Sequence, residues 1–265
     1  MRSMREEAIV EMQRIEEWHW WYEGARRAYR LLLGMVLAGR RVERMIDVGC
    51  GTGGNLPLLE RFGPTLGCDV SDLGLRLAAG KQPRLGFVRA SATALPFRPG
   101  VFDAVNLLGV VEHIEQDVLA LSEARRVCRP GGAVVFLTSA FMVLWSHHDD
   151  ANQHKRRYTT REFGVKLAQA GLRPIKLSYY NFCLFLPALI VRRVQRWLEL
   201  GRAPQSTRPL RGYDVAQHIP KWINAMLVAV LSAEAFALRW VRFPFGVDIV
   251  GVCTPEADCS ARTLQ

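Results

Sequence analysis

Short apolar runs alternate with longer amphipathic stretches along the middle of the chain, and the alternation predicts the elements. Runs at residues 44–48, 65–70, 86–90, 102–108 and 133–138 read as strands, and stretches at 55–61, 72–79 and 111–128 read as helices. Strands separated by helices need crossover connections, so a parallel, doubly wound α/β sheet is expected. Two later runs, 174–180 and 247–254, complete seven strands, with residues 181–246 inserted between the last two as apolar-basic helical stretches. Between strands five and six, residues 142–158 read as a polar loop. Thr159-Thr160-Arg161-Glu162 is a capping box that opens a helix ended by Gly171. Ahead of the first strand, residues 5–38 read as one amphipathic helix carrying Trp18-His19-Trp20-Trp21-Tyr22. Four large aromatics in five residues cannot share one face at a 3.6-residue period, so some must cover another surface. The expected division is a helical lid (1–40), a sheet core (41–180), a helical insertion (181–246), and a last strand with a frayed tail (247–265).

Composition changes this picture only through charge. With 49% apolar and 23% charged residues the chain is ordinary for a globular protein, which excludes wholly disordered and fibrous classes. Six cysteines without a CxxC pair predict a reducing, cytoplasmic compartment. The first residues lack an apolar core, which predicts no signal peptide, and no run of 18 uncharged apolar residues is present. The net charge of +10 is unevenly placed: residues 1–150 carry 18 basic and 18 acidic residues, and residues 151–265 carry 17 and 7. One half is neutral and the other holds the whole surplus, so the halves should meet different partners.

The first strand ends in Met45-Ile46-Asp47-Val48-Gly49-Cys50-Gly51-Thr52-Gly53-Gly54. Glycines there let the backbone approach a ligand and leave helix N–H groups free. Two readings fit. Gly49, Gly51 and Gly54 satisfy the GxGxxG dinucleotide fingerprint, with Asp69 as the ribose-binding acid after the second strand. Asp47, Gly49, Gly51 and Gly53 equally satisfy D-x-G-x-G-x-G. Asp47 lies in an apolar strand end, where a carboxylate needs a cation or donor; a pyrophosphate would be repelled and an ammonium welcomed.

Further along, Ser91-Ala92-Thr93-Ala94-Leu95-Pro96-Phe97, Phe102-Asp103-Ala104-Val105 and Arg126-Val127-Cys128-Arg129-Pro130-Gly131-Gly132 follow in order. With the glycine turn, these motifs resemble class I S-adenosylmethionine-dependent methyltransferases of the type 11 branch, which includes ubiquinone-biosynthesis enzymes. The likeness runs from about residue 40 to 140. It implies a Rossmann-like seven-stranded methyltransferase sheet, and S-adenosylmethionine as cofactor. It places the methionine moiety on Asp47, Gly49, Gly51 and Gly53, the ribose hydroxyls on Asp69, and the adenine against Val70, Ser91 and Ala92. Ser91 stands where relatives usually carry Asp, which implies a weaker adenine contact. The Leu108 carbonyl would meet the ammonium. N-terminal helices in this family often cover the cofactor, which makes Trp20, Trp21, Tyr22 and Arg26 lid candidates, Arg26 pairing with the cofactor carboxylate.

Candidate bases cluster after strand five, on the carboxyl edge where such folds bind ligands. His148, Asp149 and His154 are the catalytic candidates, a histidine beside a carboxylate being a suitable base. Glu112-His113 resembles part of the magnesium-binding Glu-x-x-Glu-His run of ubiquinone O-methyltransferases. Its first position is Gly109 here, so no metal is expected, and Glu112 reads as a carboxylate in a helix's first turn. Residues 181–246 hold 9 basic and 3 acidic residues around long apolar runs edged by Arg and Trp. That pattern suits a membrane surface or a lipid-linked, anionic acceptor better than nucleic acid, which calls for a polar basic groove. The expected activity is O- or C-methylation of a small or lipid-linked molecule. The alternatives are methylation of RNA, or S-adenosylmethionine binding without catalysis.

Overall fold

The computed structural model describes residues 6–199 and 219–256. The segment expected as a lid is α1 (Glu6–Ile15) and α2 (Trp20–Leu37). The core follows as β1 (Met45–Val48), α3 (Leu56–Leu59), β2 (Thr65–Asp69), α4 (Asp72–Lys81), β3 (Gly86–Arg89), β4 (Phe102–Leu108), α5 (Asp117–Val127), β5 (Cys128–Ser139), α6 (His147–Ala151), α7 (Thr160–Gln169) and β6 (Leu172–Tyr180). The insertion contributes α8 (Phe185–Glu199) and α9 (Lys221–Ala237), and β7 (Asp248–Pro255) closes the sheet. The strand order is β3-β2-β1-β4-β5-β7-β6. All four residues of β1 and the first six of β4 are buried, because helices cover both faces.

The sheet is not all parallel. β7 runs antiparallel to both β5 and β6. The register gives the reason: Asp248 at the start of β7 pairs with Tyr180 at the end of β6 and with Ser139 at the end of β5. The insertion therefore leaves and returns at the carboxyl edge, and a strand re-entering at that edge must run backwards. The same geometry puts the insertion beside the ends of β1 and β4.

Three boundaries differ from the sequence pattern. Residues 5–38 are two helices, because the chain turns at 16–19, where His19 caps α2 by accepting from the Trp21 N–H (3.3 Å). The helix expected over 111–128 is a 3-10 turn at Val111–His113 followed by α5. The expected polar loop folds into a 3-10 turn (Met142–Leu144) and α6, whose Ser146 and Asp149 form a capping box. The Thr159 capping box is present as expected, with Glu162 reciprocating to the Thr159 N–H at 2.8 Å. Pro130-Gly131-Gly132 lies inside β5, where the pairing with β4 shifts register. The middle of the insertion, residues 200–218, and most of the tail lie outside the described residues.

α9 packs lengthwise on α2. Gly24 permits the approach, since a β-carbon there would lie 2.3 Å from Leu231 Cδ1. The Tyr180 hydroxyl, fully buried, bridges the pair by donating toward the carbonyls of Gly24 (2.8 Å) and Leu231 (2.9 Å). Gly24→Val should therefore push the helices apart and destabilise the fold by about 1–3 kcal/mol, the usual cost of overpacking. A midpoint of chemical denaturation unchanged from wild type would refute that packing.

Candidate functional site

β1 and β2 deliver two carboxylates to the carboxyl edge, and the glycine turn runs between them. Gly49, Gly51 and Gly53 adopt φ of 78°, 53° and 83°, a region that side chains disfavour. Space forbids them too: a β-carbon on Gly49 would strike Val110, and one on Gly51 would lie 2.8 Å from Met12 Cε. Asp69 shapes the turn, its two oxygens accepting from the Gly51 N–H (2.9 Å) and the Ser71 N–H (2.7 Å). Burial raises its pKa against the pull of these donors.

Asp47 is fully buried, and its Oδ2 has no partner. Burial first, and repulsion from Asp69 second, push its pKa up to about 8. Its register neighbour on β4, Asn106, is also fully buried. Asn106 Nδ2 donates to the Ile46 carbonyl at 3.0 Å, and its Oδ1 is likewise unpartnered. Two neighbouring strands thus each present an unsatisfied buried acceptor, an arrangement that costs stability unless a donor or cation completes it. Asn106 escaped the sequence reading because one polar residue in an apolar strand has no signature of its own.

The adenine-side candidates lie beyond β2 and β3. Val70 and Ser91 are half-buried and Ala92 is buried. Ser91 Oγ accepts from the Thr93 N–H (3.2 Å) and shares a 2.8 Å hydrogen bond with Thr93 Oγ1. Leu108 ends β4, half-buried, one residue before Gly109 at φ 74°.

The cover over the glycine turn comes from α1 and the turn after it, a part played by residues the sequence did not single out. Met12 reaches Gly51, and Glu16, buried, accepts from the Thr52 hydroxyl (2.7 Å) and pairs with Lys81 (2.6 Å). Arg26 donates to the Glu17 carbonyl (3.2 Å) and to Glu23 (3.1 Å). Trp20 and Trp21 pack with the cluster beneath α2, and Trp21 Nε1 donates to Asp248 at 3.3 Å. The Trp20 N–H and the Trp18 carbonyl are both held by Asn224 of α9, at 2.8 and 2.9 Å. Lid and insertion are thereby tied to each other.

The catalytic candidates separate. Asp149 is wholly buried and accepts on Oδ1 from His154 Nδ1–H (2.8 Å) and Arg157 Nε–H (2.7 Å), and on Oδ2 from the Ser146 N–H (2.8 Å). Although burial opposes it, these donors hold the Asp149 carboxyl well below the usual range, so it stays ionised. An ionised acceptor fixes the His154 proton on Nδ1 and leaves the lone pair on Nε2. The His154 ring meets His113 edge to face at 4.6 Å. His113 closes the short turn that begins beside Val110, the residue packed on Gly49. His148 is exposed, hydrogen-bonds Asn152 through Nε2 at 2.9 Å, and sits 6.4 Å from the His154 ring. Asp149 and His154 act as a unit; His148 stands to one side.

Glu112 does not point outward from a helix start. It is buried in the 3-10 turn and accepts from the Thr138 hydroxyl (2.9 Å) and more weakly from Ser139 (3.4 Å). Glu112, His113 and His154 place one ligand atom each within 4.8 Å of one another.

Residues 46–136 match the family model described as "Methyltransferase domain". These residues form a methyltransferase domain of that family. The chain is 36% identical over 113 residues to demethylmenaquinone methyltransferase of Beutenbergia cavernae, covering 42% of this chain and 47% of the relative. It is 32% identical over 148 residues to malonyl-[acyl-carrier protein] O-methyltransferase of Enterobacter lignolyticus, covering 52% and 57%. The chain thus spans about half the length of these curated relatives. Among solved structures, phosphoethanolamine N-methyltransferase 2 of Haemonchus contortus, in complex with S-adenosyl-L-methionine, superposes with a TM-score of 0.55. The identity is 16%, covering 86% of this chain and 52% of that one, which establishes a shared fold. The glycine turn and both strand-end carboxylates lie within the matched residues. The match stops at 136, so the His154 loop, the insertion and the lid lie outside it.

Proposed function

We propose that the protein is an S-adenosylmethionine-dependent methyltransferase acting on a small or lipid-linked acceptor by O- or C-methylation. The observation that carries the reading is the unpartnered Asp47 oxygen at the end of β1, beside a glycine turn ordered by Asp69. A dinucleotide pyrophosphate would meet a second negative charge there, whereas an amino acid ammonium supplies what Asp47 and Asn106 lack. When bound, S-adenosylmethionine supplies an electrophilic methyl group on a sulfonium. Asp47 would hold its ammonium, the glycine backbone its methionine chain, and Asp69 its ribose hydroxyls, each oxygen keeping one lone pair free beyond its backbone donor. Val70, Ser91 and Ala92 would flank the adenine.

The rest of the chemistry belongs to the chain. His154, oriented by Asp149, takes the proton of the acceptor's O–H or C–H on Nε2; the Asp149 carboxylate stabilises the resulting imidazolium, and Arg157 holds that carboxylate in place. Val110 and His113 connect that base to the glycine turn. α1 excludes water from above through Met12 and Glu16. The relatives named for demethylmenaquinone and for malonyl-[acyl-carrier protein] support an acceptor that is small or lipid-linked, and the apolar insertion at the same sheet edge supports the lipid-linked form.

Calorimetry with S-adenosylmethionine tests the reading. Asp69→Ala should weaken affinity roughly 10- to 150-fold, the equivalent of the ~1.5–3 kcal/mol attached to hydrogen bonds with a charged group. NADH binding in place of S-adenosylmethionine, or unchanged affinity in the variant, would refute it.

A further inference from the structure

The structure decides what the sequence left open about α9, namely which of its faces is free. Leu231, Glu234, Ala235 and Leu238 are buried on the α2 side. The opposite face carries Trp222, Met226, Ala229, Ala233, Phe236 and Trp240, spaced four, three, four, three and four residues apart, and all are exposed. The large ones are far from half-hidden: Trp222 is 70% accessible, Phe236 58% and Trp240 69%. From Trp222 to Phe236 this stripe runs about 21 Å along the helix, at ~1.5 Å per residue. α8 repeats the pattern with exposed Leu186, Ile190, Val194 and Trp197. Apolar ladders of this extent on a folded surface mark an interaction site.

The charge around the ladders selects the partner. Arg193, Lys221, Arg239 and Arg242 are exposed beside them. The one carboxylate of α9, Glu234, is turned inward, where it accepts from the Phe182 N–H (2.9 Å) and the Cys183 N–H (2.8 Å). The outward face of α9 is therefore apolar and basic with no acid on it. A second protein copy presenting the same face would meet its like charges. An anionic bilayer offers both complements, phosphate for the arginines and acyl chains for the ladder, with tryptophans at the boundary where their amphipathic rings reside. No described helix is long and apolar enough to cross a membrane, so the contact is lateral.

We propose that the outer faces of α8 and α9 dock this protein in the plane of an anionic lipid surface. The inference goes beyond the methyltransferase reading and stands independently of it. It also gives the insertion's position a use: α9 grips α2 and the Trp18–Trp20 backbone, and β6 and β7 fix the insertion to the carboxyl edge, so a lipid-borne acceptor would arrive beside the site.

The test is flotation of the full chain with phosphatidylcholine vesicles, with and without phosphatidylglycerol. The protein should float with the anionic vesicles, bind at least tenfold less to neutral ones, and show a blue-shifted tryptophan emission on binding. Met226→Glu combined with Phe236→Glu should remove flotation while leaving the thermal midpoint and S-adenosylmethionine affinity unchanged. Absence of flotation by a folded wild-type protein would overturn the proposal. So would a wild-type dimer that those substitutions convert to monomer without any effect on lipid binding, since the face would then seat a second copy. Cofactor calorimetry on the same samples keeps the two readings separate: binding without flotation defeats only the docking surface, and flotation without binding defeats only the enzyme.

Discussion

Asp47→Asn should lose S-adenosylmethionine affinity by roughly 150- to 5,000-fold, the consequence of the ~3–5 kcal/mol that removing one partner of a buried ion pair costs. The same substitution should stabilise the ligand-free protein at pH 8. The sign follows from linkage. Folded Asp47 has its pKa raised from 3.8 to about 8, so it remains protonated where the unfolded chain has already ionised. Stability attributable to this group is therefore lost as pH rises from about 4 to about 8, by a few kcal/mol at most. Asparagine does not ionise and escapes that loss. Asp248 is expected to add to the same trend, its pKa pushed up to about 7 chiefly by burial. Binding has the opposite dependence: the ammonium needs ionised Asp47, so wild-type affinity should rise between pH 6 and 7.5, approaching tenfold per unit, and the variant's should stay flat. Thermal midpoints and calorimetry across that range check both. Parallel loss of stability and affinity would mean that Asp47 is a structural residue rather than a ligand-binding one.

The second large effect concerns turnover. His154→Ala should lower kcat by about 10²- to 10⁴-fold, the span contributed by a positioned general base. Cofactor affinity should be unchanged, because His154 touches Asp149 and His113 and none of the glycine turn. His148→Ala should cost far less, since that ring is hydrogen-bonded to Asn152 and stands apart from the Asp149–His154 pair. Asp149→Asn is a less clean test. Its carboxylate also holds buried Arg157, so the variant is expected to lose stability along with activity. The measurement is single-turnover methylation of the acceptor at saturating cofactor, with a pH profile. Full activity of the alanine variant would mean that the acceptor needs no base.

Much of the sheet core was legible because its signals are local. A glycine turn, a carboxylate at each of two strand ends and a Pro-Gly-Gly before a β-branched run are all contiguous, and backbone sterics tie each to one conformation. Gly49, Gly51 and Gly53 occupy the positive-φ positions for that reason. Asn106 was not legible: its register neighbour Asp47 lies 59 residues away and meets it only through β1–β4 pairing. Met12 and Glu16 were likewise hidden, since an amphipathic pattern shows that a helix has a buried face without showing what that face covers.

The sequence by itself determined the alternation of strands and helices, the glycine turn, the Thr159 cap and the placing of all surplus charge after residue 150. Each is a property of neighbours along the chain: periodicity, capping chemistry, conformational freedom or composition. Tertiary structure alone decided the reversed direction of β7, the union of Asp149 with His154 and Arg157, the tie between lid and insertion through Asn224, and the inward turn of Glu234. Those outcomes depend on which buried polar groups find partners across the fold, and a carboxylate's partner is chosen by distance in space. The basic, apolar half of the chain thereby acquires a direction as well as a charge.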